Sequence, residues 1–258
     1  MKNKVKVIKI GGGIISDDAA LDAFLEKFAQ LSGAKVLIHG GGKLATELSK
    51  KLGVEVKMIE GRRVTTKEAL EVTAMVYAGL INTSICAKLV ANGCSALGLS
   101  GADANVIAST KRPANPIDFG FVGDVKRVNG AALAGFITQG HTPVLCSITH
   151  DQNGQLLNTN ADTIASEVAI AMSEHFDVEL IYCFEKNGVL RDINDEESVI
   201  PEINIDTYAQ LCQEGIVNEG MIPKLDNCFN ALKRGVTEVV IGNANAPFAT
   251  KGTYTVLR

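Results

Sequence analysis

The sequence predicts an α/β protein, a three-layer αβα sandwich around a mostly parallel central sheet. Short β-branched apolar runs alternate with longer amphipathic stretches along the whole chain, and two of the runs end in glycine clusters. The composition agrees, because 258 residues with 46% hydrophobic and 21% charged residues suit a globular chain that buries a large core. Without an internal repeat or a flexible linker, residues 1–258 are expected to form one domain.

The predicted strands are short apolar runs bounded by Gly, Pro or polar residues, which is typical of buried strands in a parallel sheet. In chain order they are Val5–Ile10, Val36–His39, Val144–Ile148, Val178–Phe184 and Val239–Ile241. Two segments break the alternation. We expect a short hairpin over Val54–Val64 that turns at Glu60–Gly61, and antiparallel strands with a loop over Asn105–Val128. Each is either a lid over a site or a plain surface hairpin.

The predicted helices carry apolar residues at helical spacing. Ser16 is the expected N-cap of a helix over Asp17–Leu31. Thr65 and Glu68 match a capping box that opens a long helix, roughly Thr66–Ala91. Two further helices are predicted over Ala161–Ser173 and Lys224–Arg234.

Charge and cysteine usage exclude several classes of protein. Twenty-five Lys and Arg against 29 Asp and Glu give a net charge of -4, which lacks the positive footprint of a nucleic-acid-binding surface. None of the six cysteines forms a CxxC pair or a zinc-ligand pattern, so we expect a reducing, cytoplasmic compartment and no protein-bound metal. The N-terminus lacks a signal-peptide core and no run reaches 18 apolar residues, so no membrane contact is expected.

Two predicted strands end in glycine clusters, Gly11–Gly13 after the first and Gly40–Gly42 after the second. In open α/β sheets ligands bind at the carboxyl ends of the strands. Glycines let the backbone approach a ligand closely, and the next helix offers free N–H groups to an anion. The two clusters therefore indicate two anionic groups bound near each other, the alternative being tight turns without a ligand.

The second cluster is not a Walker P-loop, because Leu44 follows Lys43 where Ser or Thr is required. Gly40, Gly42 and Ala45 do fit G-x-G-x-x-A, with Glu60 twenty residues beyond Gly40, as in dinucleotide-binding turns. That fingerprint normally belongs to the first βα unit, and here a complete unit precedes it. An NAD(P)-binding oxidoreductase remains an alternative.

Five motifs in order resemble the amino-acid kinases, and most closely the N-acetylglutamate kinases of the arginine pathway. They are Lys9-Ile10-Gly11-Gly12, His39-Gly40-Gly41-Gly42, Gly61-Arg62-Arg63-Val64-Thr65, Asn158-Thr159-Asn160-Ala161-Asp162 and Gly220-Met221-Ile222-Pro223-Lys224. The resemblance covers essentially the whole chain. It implies the amino-acid kinase fold and transfer of a phosphoryl group from ATP, carried with Mg²⁺, to the γ-carboxylate of an N-acyl-L-glutamate. Another carboxylate or carbamate kinase, and a non-catalytic amino-acid sensor, remain alternatives.

The residue types suit that chemistry. A glutamate side chain has a pKa of about 4.3, so at neutral pH it is already an ionised nucleophile and needs no general base. The difficulty is to bring one anion against another, which phosphoryl-transfer enzymes solve by positioning and charge stabilisation. Lysines beside glycines are therefore expected at the site, and a catalytic histidine is not.

The resemblance implies a role for each site residue. Lys9 would contact the transferring phosphoryl group, Lys224 would stabilise charge on the β–γ bridge and γ-phosphate, and Asp162 would hold both lysines. The substrate-binding residues implied are Gly41, Gly42, Arg62, Arg63, Asn158 and Asn160, with Arg63 on the α-carboxylate. The nucleotide-binding residues implied are Gly11, Gly12, Glu185, Lys186, Asn187, Gly188, Ile216, Val217 and Asn218. Residues 1–175 would bind acyl-glutamate and form the dimer contact, and residues 176–258 would bind the nucleotide.

Three departures from the family pattern stand out. Arg62 replaces a leucine that lies near the acyl methyl group in the family, so it either pairs with a second carboxylate, as on a succinyl group, or points to solvent. The segment Phe184–Gly188 replaces the usual Asp-Val before the glycine turn, and Ser100–Asp103 lacks the usual lysine. The first strand also begins near Val5, without the N-terminal helix of arginine-inhibited members. We therefore expect a simple homodimer that arginine does not inhibit.

Overall fold

The computed structural model describes residues 2–59, 62–217, 221–249 and 253–258. Its central feature is an eight-stranded sheet. In spatial order the strands are β12 (Glu202–Ile203), β14 (Thr255–Leu257), β13 (Glu238–Gly242), β11 (Asp177–Cys183), β1 (Lys4–Ile10), β2 (Ala34–His39), β8 (Thr142–Leu145) and β5 (Ala96–Leu99). From β13 to β5 the strands run parallel, whereas β14 pairs antiparallel with β13. The predicted, mostly parallel sheet is confirmed.

Helices cover both faces of this sheet. They are α1 (Gly12–Ile15), α2 (Asp18–Gln30), α3 (Gly42–Lys51), α4 (Lys67–Ala74), α5 (Thr83–Ala91), α6 (Gly130–Thr138), α7 (Ala161–Met172), α8 (Ile205–Gln213) and α9 (Ile222–Lys233). One core lies between the sheet and α6–α9, and the other between the sheet and α2–α5. This is the predicted three-layer αβα sandwich.

The side chains of β1 alternate between the two cores. Val5 and Val7 pack in the core with α7, whereas Ile8 and Ile10 pack in the core with α2. Because successive side chains of a strand point to opposite faces, Lys9 lies on the α7 face. The strand register therefore decides which helix the lysine meets.

Two smaller sheets flank the central one. The strands β10 (Leu156–Asn158), β9 (Ile148–His150), β6 (Ile107–Lys111) and β7 (Gly123–Val128) form one of them, and β3 (Lys57–Ile59) with β4 (Arg62–Val64) forms the other. Both predicted antiparallel segments are thus confirmed, since β6 pairs antiparallel with β7 and β3 with β4. The predicted turn at Glu60–Gly61 lies outside the described residues.

The predicted N-cap of α2 is wrong by one residue. Asp17 caps this helix, because its carboxylate accepts a hydrogen bond of 3.0 Å from the backbone N–H of Ala20. Ser16 instead donates its hydroxyl to the carbonyl of Gly12. A carboxylate at this position also interacts favourably with the helix dipole.

The predicted capping box at Thr65 is likewise displaced. Thr66 is the N-cap of α4 and accepts a hydrogen bond from the N–H of Ala69. Thr65 is fully buried, and its backbone bonds to Phe119 and Phe121. Local spacing predicts Thr65 as the cap, but its backbone pairs with a distant part of the chain, so the next residue caps the helix.

Other predicted boundaries shift for topological reasons. The run Val144–Ile148 is two strands in different sheets, because β8 ends at Leu145 and β9 begins at Ile148. The strand predicted to reach Phe184 ends at Cys183. The last predicted helix begins at Ile222, before Lys224.

A π-helical segment, Met75–Asn82, joins α4 to α5, so residues 67–91 form one continuous helix. By length and composition alone this helix would be able to cross a membrane, a test that core helices of soluble proteins also pass. Val72, Val76, Ile85 and Leu89 are buried in the core beside the sheet. Packing in this core thus accounts for part of the apolar composition.

Candidate active site

Two cavities open at the carboxyl ends of the central strands. The acceptor cavity, as we call it, has a volume of about 1240 Å³ and is lined by Gly40–Gly42, Arg63 and Asn158, among others. The donor cavity has a volume of about 1190 Å³ and is lined by Lys9 and Gly11–Gly13, among others. Asp162, Phe184, Lys224 and Ile241 line both, and we call these four residues the junction.

Lys9 forms an ion pair with Asp162, one of the junction residues. Lys9 Nζ lies 2.6 Å from Asp162 Oδ1, and the lysine side chain is only 10% exposed. Asp162 lies in the first turn of α7, where Asn160 is the N-cap and accepts hydrogen bonds from the N–H groups of Asp162 and Thr163. A negative charge is favourable at a helix N-terminus, so the helix stabilises the carboxylate that pairs with Lys9.

Arg63 is a buried guanidinium with one nitrogen unpaired. Its Nη2 donates to the carbonyl of Gly42 at 3.0 Å and to the hydroxyl of Thr46 at 2.6 Å. Its Nη1 is buried and has no hydrogen-bond partner. Buried polar nitrogens are normally hydrogen-bonded, and guanidinium pairs best with a carboxylate or phosphate. This nitrogen therefore indicates a place for an anion in the acceptor cavity.

The glycine turn beside Arg63 is packed so closely that it excludes a side chain. A Cβ atom added to Gly41 would lie 2.3 Å from Cδ1 of Ile81 and 2.8 Å from Cδ1 of Tyr77. Both neighbours belong to the π-helical segment. Because α3 begins at Gly42, the N-terminus of a helix lines the cavity here, as anion sites require.

The two predicted asparagines also line the acceptor cavity, but both already make hydrogen bonds. Asn158 donates its amide to the hydroxyl of Thr65 at 3.0 Å, and Asn160 caps α7. Arg62, the neighbour of Arg63, is exposed and lines the same cavity. All six predicted substrate-binding residues therefore lie around one cavity.

Most predicted nucleotide-binding residues line the donor cavity, namely Gly11, Gly12, Glu185, Lys186, Gly188, Ile216 and Val217. Asn187 is not among its lining residues and instead bonds to Asn243 and the backbone of Glu196. Lys186 Nζ is paired with the carboxylate of Glu196 at 2.8 Å. Asn218 and Gly220 lie outside the described residues.

His39 is fully buried next to the second glycine turn and is a core histidine. Its Nδ1 lies 2.8 Å from the carbonyl of Gly40, and its Nε2 accepts from the amide of Asn82 at 3.0 Å. Burial lowers the pKa of His39 to about 4, against a smaller opposing effect of the Gly40 hydrogen bond. The ring is therefore neutral at physiological pH and supports the turn.

Two residues near the site were missed by sequence reasoning. From the sequence, Phe184 is predicted as the end of a strand and as part of a departure from the family pattern but is assigned no place in the site, although it follows Tyr182 at a spacing of two and so continues one face of β11. Thr46, one helical turn after Gly42, holds Arg63. Strand alternation would have found Phe184, but no local signal identifies Thr46 as a partner of Arg63.

Comparison with known proteins identifies the family. A sequence model described as the amino acid kinase family matches residues 4–243. The chain belongs to the amino acid kinase family. Among curated relatives of this kinase, an acetylglutamate kinase from Cytophaga hutchinsonii is 55% identical over 94% of the chain and 92% of the relative. Another acetylglutamate kinase, from Bacteroides thetaiotaomicron, is 54% identical over 98% of both chains.

A solved structure supports the same fold. The crystal structure of a Streptococcus mutans protein aligns with this kinase over 98% of both chains. The TM-score is 0.78 and the sequence identity is 27%. Family membership favours the kinase interpretation of the Gly40–Gly42 turn over the dinucleotide-binding one. Among the residues that the structure describes, no group of three His, Cys, Asp or Glu side chains is placed to hold a metal ion.

Proposed function

We propose that this kinase transfers the γ-phosphoryl group of ATP to the γ-carboxylate of an N-acyl-L-glutamate, with N-acetyl-L-glutamate as the principal candidate and arginine biosynthesis as the pathway. The observation that carries the proposal is the meeting of two cavities at Asp162 and Lys224, one of them holding the unpaired guanidinium nitrogen of Arg63. The curated relatives that share more than half of its residues are named acetylglutamate kinase.

In the proposed reaction an oxygen of the γ-carboxylate attacks the γ-phosphorus of ATP and ADP leaves. No proton has to be removed from the carboxylate, which is consistent with the neutral, buried His39. The barrier comes from repulsion between anions, and cations fixed in a poorly solvated site reduce it. Lys9, which is buried and paired with Asp162, and Lys224, which is exposed, would supply that charge.

Arg63 is the proposed partner of the substrate α-carboxylate. Its free Nη1 would donate to one oxygen, while its bonds to Gly42 and Thr46 keep the guanidinium plane fixed. Asn158 and Asn160 would contact the same end of the substrate, and Gly41 and Gly42 the reacting carboxylate. A preorganised guanidinium loses little conformational freedom on binding, which favours affinity.

The donor cavity is the proposed ATP site, with Gly11 and Gly12 along the phosphates. Its lining carboxylates, which include Asp17, Glu185 and Asp192, are not gathered into a metal cluster among the described residues. We therefore expect Mg²⁺ to arrive with ATP and to be held mainly by phosphate oxygens and water, as is usual for this ion. Bound there, the ion would neutralise charge on the phosphates.

The direct test is trapping of the acyl phosphate with hydroxylamine. MgATP is supplied with N-acetyl-L-glutamate, N-succinyl-L-glutamate or free L-glutamate in parallel reactions. Product with an acylated substrate, and little with free glutamate, is the expected result. Absence of product with all three would contradict the proposal and favour another carboxylate kinase or an amino-acid sensor. An increase in NADPH fluorescence on mixing with the protein would revive the oxidoreductase alternative.

The identity of the acyl group is a finer proposal that depends on Arg62. Its side chain lines the acceptor cavity together with Lys43, Glu47 and Lys50 of α3, so cations outnumber the carboxylate in this part of the lining. That excess favours a second carboxylate, and we propose N-succinyl-L-glutamate as an additional substrate. Since Arg62 is exposed, solvent screens its charge, and Arg62→Leu should lower the succinyl-to-acetyl ratio of kcat/KM by about fivefold. No turnover of N-succinyl-L-glutamate by the wild type, or an unchanged ratio in Arg62→Leu, would contradict this proposal.

We also propose that the kinase is a cytoplasmic homodimer. Its six cysteines are all free thiols, which suits a reducing compartment. Met75, Leu80 and Val90, on the continuous helix of residues 67–91, are each more than half exposed and would be covered by a second copy. Light scattering of the purified protein should give twice the chain mass. A monomeric mass would contradict the dimer.

A further inference from the structure

Phe184 occupies the point where the two cavities meet. Its ring lines both of them, and the ammonium groups of two lysines lie against it. The ring centroid is 4.6 Å from Lys224 Nζ and 5.2 Å from Lys9 Nζ. Both distances are within the range of about 6 Å in which an aromatic face attracts a cation.

The position of this ring is fixed by the strand that precedes it. Val178, Leu180 and Tyr182 point from β11 into the core with α7, and Phe184 follows with the same alternation. The ring of Phe184 stacks on that of Tyr182, with 5.8 Å between centroids and 4° between planes. Tyr182 in turn donates its hydroxyl to the carbonyl of Asp162 at 3.0 Å.

The ammonium groups of Lys9 and Lys224 lie against the same ring, so the charges of both are close to each other and to the ring face. Like charges repel, and the carboxylate of Asp162 is paired with Lys9. The negative face of an aromatic ring attracts both cations without accepting a proton or competing for phosphate.

We propose that Phe184 is a positioning residue for phosphoryl transfer, because its ring holds the ammonium groups of Lys9 and Lys224 at the junction of the two cavities. The inference rests on the proposed function, which assigns the transfer to this junction. It extends that function to a residue that contacts the two lysines through its ring face and needs no contact with substrate.

The test replaces Phe184 in the full-length enzyme by phenylalanines carrying one, two or three ring fluorines. Fluorine changes ring size little but weakens the negative face stepwise. We expect kcat for acyl phosphate formation to fall stepwise by about tenfold in total, with both KM values within about twofold and the melting temperature unchanged. Phe184→Leu should lower kcat at least as much.

A matched control is available on the opposite side of the sheet. Lys35 Nζ lies 5.2 Å from the centroid of the buried ring of Phe28, far from the junction residues in the fold. The same fluorinated series at Phe28 should leave kcat unchanged. A kcat that is constant across the Phe184 series while Phe184→Leu lowers the melting temperature would show a packing role alone, and would overturn the proposal.

Nuclear magnetic resonance separates this inference from the proposed function. The ring current of Phe184 should shift the ε-protons of Lys9 and Lys224 upfield, and the shift should vanish in Phe184→Leu. Lack of that shift in the wild-type protein overturns the inference even if the enzyme is active. A wild-type protein that shows the shift but makes no acyl phosphate overturns the proposed function instead.

Discussion

Arg63 is a side chain held in position by two neighbours while part of its hydrogen-bonding capacity stays unused. One nitrogen bonds to Gly42 and Thr46, and the other is buried without a partner. Leaving a buried charged donor unpaired costs about 1–3 kcal/mol or more. A bound carboxylate would accept a hydrogen bond from this nitrogen and remove that cost. The free energy so released would add to the affinity for the substrate.

This arrangement predicts a division of kinetic effects between two residues. Arg63→Ala should raise the KM for the acyl-glutamate about 10-fold to 100-fold and change kcat less, because a ground-state contact is lost. Lys9→Ala should lower kcat about 100-fold with little change in KM, because its contact forms in the transition state. Steady-state rates of acyl phosphate formation measure both.

The matched control for Arg63 is Thr46→Val, which removes one anchor of the guanidinium and keeps the charge. It should raise KM by a smaller factor than Arg63→Ala. Equal KM values in wild type and Arg63→Ala would contradict the assignment of the α-carboxylate to this arginine.

At the scale of elements, a buried lysine ties the end of α2 to the start of β2. Lys35 Nζ donates to the carbonyls of Phe28 at 2.9 Å, Ala29 at 2.8 Å and Leu31 at 2.7 Å. The last carbonyls of a helix have no partners within it, and a cation there also interacts favourably with the helix dipole. The lysine thus adds to the backbone cap of α2, in which the N–H of Leu31 donates to the carbonyl of Phe28.

We predict that Lys35→Met lowers the free energy of unfolding by about 2–3 kcal/mol, since one buried and two part-buried carbonyls lose a charged donor. The KM and kcat values should be unchanged because the residue is remote from both cavities. Chemical denaturation measures the difference. Lys27→Met, which removes an exposed lysine from the same helix, is the control, and an equal loss in both variants would contradict the prediction.

The sequence predicts the elements of the central sheet well because their signal is local. The buried runs that form β1, β2 and β11 are β-branched and bounded by glycine or polar residues, and the structure confirms each within two residues. The N-caps at Ser16 and Thr65 are wrong by one residue. A neighbouring carboxylate at Asp17 and long-range pairing of Thr65 decide those positions, and spacing alone does not report either.

The site is predictable only as far as it consists of residues that follow strands or begin helices. Lys9, Asp162 and the glycines are residues of this kind, and they line the two cavities. The π-helical segment that closes on Gly41 gives no local signal, because its fit depends on a turn some forty residues away. Asn187 is a motif residue whose amide oxygen accepts a hydrogen bond from Asn243, a contact that the motif does not report.

For the molecule as a whole, His39 connects the central sheet to the long helix. Asn82 donates one amide to His39 Nε2 at 3.0 Å and to the carbonyl of Val144 at 2.9 Å, which joins the π-helical segment to β2 and β8. Protonation of Nε2 would remove the acceptor and bury a charge. A neutral ring therefore contributes to the stability of the contact between the long helix and the central sheet.

The pH dependence follows from the two pKa values of His39, about 4 when folded and 6.5 in the unfolded chain. Between these values the unfolded state binds a proton that the folded state does not, so stability falls as the pH falls. The contribution should be about 3 kcal/mol between pH 6.5 and 4, and none above 6.5.

The comparison variant is His39→Asn, whose amide can still donate to the carbonyl of Gly40. Denaturation at a series of pH values gives the slope for each protein, and the difference between them isolates the histidine from the carboxylates. Parallel slopes between pH 6.5 and 4 would contradict the assignment.

The junction has a stereochemical consequence. Among the described residues the two cavities share only Asp162, Phe184, Lys224 and Ile241, so under the proposed function both reactants would be bound at once with the γ-phosphorus between them. A single in-line displacement between the two bound reactants needs no covalent phosphoenzyme intermediate. Phosphorus made chiral with oxygen isotopes should therefore leave with its configuration inverted.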